Sequence, residues 1–150
     1  TQENNLQLEQ YEGDVFISNY KSLTLVNNSN ETIWVAIGYV DCDLEYHYSN
    51  KKSIGWYYIE SGKELSLDLI SILGEQKYFK CGKLWLFAED SDKSLSWSGQ
   101  NNNDHFILHD HKQFNYTEWV RPANRTNNIR KEKFFEIPLY PGVTRQSFIN

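Results

Sequence analysis

Apolar and polar residues alternate along this chain in short runs, and the runs read as strands. Leu65, Leu67 and Leu69 alternate with Ser66 and Asp68, the period-two pattern of a strand with one buried face. Thr32-Ile33-Trp34-Val35-Ala36-Ile37-Gly38-Tyr39 is apolar on both faces: Ile33, Val35, Ile37 and Tyr39 on one, Trp34 and Ala36 on the other. Such a strand is expected in the middle of a sheet covered on both sides. Lys83-Leu84-Trp85-Leu86-Phe87-Ala88 repeats the pattern and stops at Glu89-Asp90-Ser91-Asp92. Leu23 to Val26 ends at the polar cluster Asn27-Asn28-Ser29-Asn30, and Ile54 to Ile59 ends at Glu60-Ser61-Gly62-Lys63. Asp14 to Ser18, Leu95 to Trp97, Phe106 to His109 and Lys133 to Ile137 are shorter candidates.

About eight or nine closely spaced strands predict an all-β fold, a single antiparallel β-sandwich with little helix. No strand–helix alternation and no fixed repeat is present. The segment from Gln113 to Asn128 lacks period-two patterning and reads as a long loop with a helical turn near Tyr116 to Val120. The expected organisation is an N-terminal arm over 1–19, a sandwich over 20–140 and a C-terminal tail over 141–150. The doubly apolar strands around Trp34 and Trp85 are expected in the middle of facing layers, leaving no room for a reaction centre between them.

Composition narrows the partners. At 150 residues and 39 % hydrophobic, the chain suits one domain with its own core. Fifteen basic against 20 acidic side chains leave a net charge of −5, which disfavours nucleic acid. No apolar stretch approaches the ~20 residues of a membrane-spanning helix. The chain starts at Thr1 and contains no Met, and the expectation is an initiator removed by signal cleavage, by other processing or by excision of a fragment. Asn27, Asn30, Asn115 and Asn124 each open an Asn-x-Ser/Thr triplet. Cys42 and Cys81 flank predicted strands; they could form one disulfide if their Cα atoms come within ~7 Å, or stand as separate thiols. These features favour a secreted or cell-surface location.

Candidate chemistry is sparse. Asp104-His105 and His109-Asp110-His111 are the main histidine concentration. On a strand, His109 and His111 would share a face and could ligate one metal, but no further ligand-spacing motif completes a site. No nucleophile element accompanies them. Glu89-Asp90-Ser91-Asp92-Lys93-Ser94 spaces oxygens as a calcium loop does, without the glycine and the final acid an EF-hand needs; a hairpin turn capped by Asp side chains is the simpler reading. A buried carboxylate at Glu89 or Asp90 would pair with an indole or backbone N–H. Arg121, Arg125, Arg130, Lys131 and Lys133 form the one basic stretch, open to an acidic partner or simply solvated. Aromatics make up 15 % of the chain. Trp34 and Trp85 read as core, whereas Trp97, Trp119, Tyr46 and Tyr48 sit in turn-like contexts and are candidates for a contact surface.

Leu23-Thr24-Leu25-Val26-Asn27, Ile33-Trp34-Val35-Ala36-Ile37-Gly38-Tyr39, Gly55-Trp56-Tyr57-Tyr58-Ile59, Phe87-Ala88-Glu89-Asp90-Ser91 and Phe134-Phe135-Glu136-Ile137 occur in this order. Through them the chain resembles the bacterial family called domain of unknown function 1036, from about Leu23 to Ile137. It departs from the family's pattern at Ser61, at Val26 and in a longer stretch between Tyr39 and Ser53. The resemblance implies a small, exported, β-rich domain and carries no catalytic residue or cofactor.

The expected function is therefore non-catalytic: an exported or cell-surface structural, self-assembling or protein-interaction module, with itself or another protein as partner. In that reading Val15, Phe16 and Ile17 add a strand to a neighbour's sheet edge. A carbohydrate- or ligand-binding domain using Trp97, Trp119, Tyr46 and Tyr48 is the alternative, and a metal-dependent hydrolase centred on His105, His109 and His111 is the third. No cofactor is expected.

Overall fold

The computed structural model describes residues 20–43, 48–73, 83–100, 104–117 and 128–150. Its strands are β1 (Tyr20–Asn27), β2 (Ile33–Asp43), β3 (Tyr48–Ile59), β4 (Glu64–Asp68), β5 (Lys83–Asp90), β6 (Ser96–Trp97), β7 (Asp104–Leu108), β8 (Phe114–Thr117), β9 (Ile129–Lys133), β10 (Phe135–Pro138) and β11 (Gly142–Phe148). One short helix, α1 (Leu69–Leu73), follows β4. The chain is an all-β sandwich. Its central sheet runs β10-β5-β2-β3-β8, with β6 also on β5. A three-stranded sheet, β11-β1-β4, packs on the first face, and the ribbon β7-β9 covers the second.

β2 is central because its two faces feed two cores. Ile33, Val35, Ile37 and Tyr39 join Leu23, Leu25, Leu84, Leu86 and Phe148 on the first face. Ala36 joins Trp56, Trp85, Phe87, Ile107, Phe114 and Phe134 on the second, with Trp34 at its rim. The strands around Trp34 and Trp85 do not face each other across layers, as the sequence suggests. They pair side by side, Gly38 opposite Trp85 and Trp34 opposite Glu89. Two strands that are apolar on both faces are both satisfied as sheet neighbours covered from two sides.

Other expectations are also corrected. Residues 141–150, expected as a tail, contribute β11, which pairs parallel with β1, the one parallel pairing among the described strands. Phe148 at its end is fully buried. The run Lys133 to Ile137 is divided between β9 in the ribbon and β10 in the central sheet, so the chain changes layer at the buried Phe134. Residues 114–117 form strand β8 rather than the start of a helical turn. Residues 1–19 lie outside the described residues.

Two polar devices tie the layers together. Asn27 is completely buried at the end of β1. Its Nδ2 donates to the Glu31 and Ile59 carbonyls at 2.7 and 2.9 Å, and its Oδ1 accepts from the Ser29 amide and hydroxyl at 3.0 and 2.6 Å. The amide thereby spends both donors and accepts twice, and it links the small sheet to β3. The ribbon docks on β3 through side-chain donors two carbonyls apart: Ser53 Oγ donates to the Phe106 carbonyl and Trp56 Nε1 to that of Leu108. Gly38 permits a close approach, because the buried His105 ring lies where a Cβ would stand, 2.7–2.9 Å away.

Candidate functional site

The alternation of β3 breaks at its middle. Val35 pairs with Tyr57 but Ile37 pairs with Ile54, so Gly55 and Trp56 together oppose Ala36 in a β-bulge. The extra residue resets which face each side chain takes. Ile54 and Tyr57, three apart, both lie on the first face, and Trp56 turns to the second. Phe114 of β8 then packs on Gly55, its Cε1 only 2.8 Å from the position a Cβ would take. Gln113, just before β8, and Asn115 on it bracket the buried Phe114 and are both exposed.

This arrangement leaves an open cleft of about 430 Å³ where β3 and β8 diverge from β4 and α1. One wall is Ile54, Gly55, Trp56, Tyr57, Gln113, Phe114 and Asn115; the other is Leu67, Asp68, Ser71 and Ile72. Asp68 caps α1, its Oδ1 accepting from the Ile70 amide at 3.0 Å. Burial pushes the Tyr57 phenol above its ordinary pKa of 10.0, so it stays a neutral hydroxyl that both donates and accepts. A cleft of this volume lies in the size range of small-molecule sites.

The second face carries a charged cluster instead. Glu89 continues the alternation Trp85, Phe87 onto the buried face, and its side chain is 2 % exposed. Arg130 of β9 places Nη2 at 2.7 and 2.6 Å from the two carboxylate oxygens, and His111 Nε2 lies 2.6 Å from Oε2. Arg130 also pairs with Glu132 through Nη1 and lies over the Phe87 ring. The His111 ring stacks on Trp34, centroids 4.8 Å apart and planes 14° apart, and meets Trp56 edge-on at 5.1 Å. A carboxylate taken out of water needs such partners. They clamp the loop after β7 and the start of β9 onto the central sheet. The partner expected for a buried carboxylate here, an indole or backbone N–H, is corrected for Glu89, whose partners are a guanidinium and an imidazole. Asp90 does bind backbone: it accepts from the Leu95 amide at 3.0 Å and the Ser94 hydroxyl at 2.9 Å, closing the turn to β6. Asp92 accepts from the Ser94 amide, and its hydrogen bonds with Ser94 lower its pKa. The calcium-loop spacing is thus a turn in which Asp90 and Asp92 face donors inside it, while Glu89 turns to Arg130 and His111.

The histidines diverge. β7 ends at Leu108, so His109 and His111 fall in a turn and do not share a strand face as expected. His105 is buried between Trp85 and Phe134, while His111 sits on Glu89. Among the described residues no three His, Cys, Asp or Glu side chains gather as a metal site. Trp97 is half-buried: its Nε1 donates to the Ile149 carbonyl at 3.0 Å and its ring meets Phe148 edge-on. Tyr48 opens β3. Trp119, Tyr46, Val15, Phe16, Ile17 and Cys81 lie outside the described residues, and Cys42 is placed only as a backbone position in β2. Of the triplet asparagines, Asn27 has no free amide for a glycan, Asn30 and Asn115 are exposed, and Asn124 lies outside the described residues. Among the described residues no helix is long and apolar enough to cross a membrane.

Sequence reasoning missed Tyr57, Asp68, Ser71, Gln113 and Asn115 as a group. The only signal was the broken alternation from Ile54 to Ile59. A buried carboxylate was expected at Glu89 or Asp90 without a choice between them, and neither His111 nor Arg130 could be assigned to Glu89 from spacing.

No family model, curated protein or solved structure matches the chain.

Proposed function

We propose that this chain is a non-catalytic binding domain whose ligand is a small molecule held in the cleft between β3–β8 and β4–α1. The observation that carries this reading is the β3 bulge. It turns Ile54 and Tyr57 to the same side and lets the sandwich stay open at that edge instead of closing on its core. Binding is favoured over turnover because Asp68 is the one carboxylate among the described residues lining the cleft, and one of its oxygens already caps α1. Acid–base work on a bound molecule uses a second positioned group. Glu89 and His111 lie on the opposite face, where Glu89 is engaged with His111 and Arg130 and the His111 ring is stacked on Trp34.

The blocks through which the chain resembles the domain of unknown function 1036 family fall mainly in β1, β2, β3, β5 and β10, and the proposal takes that resemblance as one of scaffold alone. Export to the cell surface remains part of the proposal. A fragment library screened by protein-observed NMR tests the reading. Hits should cluster on residues 54–57 and 113–115 and vanish in Ser71→Trp, which fills the cleft from an exposed position. Hits that ignore the substitution, or none on wild type, would overturn it.

A further inference from the structure

Resting on the reading of the cleft as a binding site, we infer that its ligand is a neutral polyhydroxylated molecule, a saccharide, held between Gln113 and Asn115 on one wall and Asp68 and Ser71 on the other. Charge makes the first cut. Among the described residues lining the cleft there is one carboxylate and no Lys, Arg or His. A phosphate, sulfate or carboxylate ligand would lose water against Asp68 with no cation to receive it.

Hydrogen-bonding capacity makes the second. Gln113, Asn115, Asp68, Ser71 and Tyr57 all line this one cleft, so a bound ligand displaces water from their polar groups together. A purely apolar ligand would strip water from these groups and return nothing, at a cost for each group left unpaired. Ligand hydroxyls both donate and accept, and amide and hydroxyl side chains answer them in either sense. Asn115 on β8 and Gln113, the residue just before that strand, both line one wall, and Asp68 and Ser71 stand three apart at the start of α1 and line the other.

The remaining wall suits the other half of a sugar. Ile54, Leu67 and Ile72 are partly buried hydrophobics that pack on the first-face core and also line the cleft. The Tyr57 ring adds aromatic area with a polar tip. A pyranose offers the same division, with apolar C–H faces and a rim of hydroxyls.

The test is NMR titration of the ¹⁵N-labelled chain with neutral oligosaccharides built on glucose, xylose, mannose, galactose and N-acetylglucosamine. Uronate-containing and sulfated oligosaccharides, alkylammonium ions and aliphatic alcohols complete the panel. At least one neutral oligosaccharide should shift the amides of residues 54–57 and 113–115 saturably. The double variant Gln113→Ala/Asn115→Ala, altered only at exposed positions, should bind it at least about tenfold more weakly with the same thermal unfolding midpoint. If acidic, ammonium or alcohol probes shift those amides and neutral sugars do not, the saccharide class is wrong and the cleft reading stands. If no probe shifts them, both fall.

Discussion

Acid should unfold this protein through one histidine. His105 is 2 % exposed, its ring seated on Gly38 between Trp85 and Phe134. Burial, reinforced by the charges of Lys51 and Lys131 and opposed by a backbone hydrogen bond at Lys52, pushes its pKa from 6.5 down to about 3. The folded state therefore holds the neutral ring where the unfolded chain would already bind a proton. Its contribution to stability is complete above pH 6.5 and is lost progressively as pH falls from there toward 3. Each pH unit in that window is worth about 1.4 kcal/mol. Acidification to about pH 4.5, roughly two units, should thus remove about 3 kcal/mol, a large part of a typical domain's stability. Urea unfolding at a series of pH values, on wild type and on His105→Phe, isolates this term. The variant keeps a flat ring over Gly38 and removes the titration, so wild type should lose about 3 kcal/mol more than the variant across that interval. Parallel losses in the two proteins, or an NMR titration placing the His105 ring near its ordinary pKa, would refute the reasoning.

Two further outcomes follow from the buried polar contacts. Arg130→Met strands the Glu89 carboxylate with His111 as its one remaining partner among the described contacts and should cost about 3–5 kcal/mol in chemical denaturation. The double variant Glu89→Leu/Arg130→Met should recover most of that, and a single variant within about 1 kcal/mol of wild type would show that the cluster does not clamp the ribbon. Asn27→Asp leaves the Glu31 and Ile59 carbonyls facing a carboxylate that cannot donate, and should lower stability by about 3 kcal/mol or more; an unchanged urea midpoint would contradict the role given to that amide.

Much of the scaffold could be read from the chain because burial on two faces leaves a mark that needs no partner to interpret. The inward sets Ile33, Val35, Ile37, Tyr39 and Trp34, Ala36 follow from a period of two alone, and both cores contain them. The Asp90 turn was legible for a similar reason: a carboxylate accepting from a hydroxyl four residues on and an amide five residues on is local chemistry. Gly38 and Gly55 could be seen as residues but not explained, since the His105 and Phe114 rings that exclude a side chain come from strands far along the chain.

What the amino-acid order settled unaided was the all-β class and the central place of the strand through Trp34. Tertiary structure decided everything that depends on which strand lies beside which. It made the Trp34 and Trp85 strands neighbours in one sheet, returned Phe148 to the core through a parallel pairing with β1, and brought Arg130 and His111 to Glu89. It also opened the cleft, because a single extra residue opposite Ala36 changes the facing of Ile54 and Tyr57. Periodicity records whether a residue is buried; it carries no record of the partner, and a bulge appears only once the opposing strand sets the register.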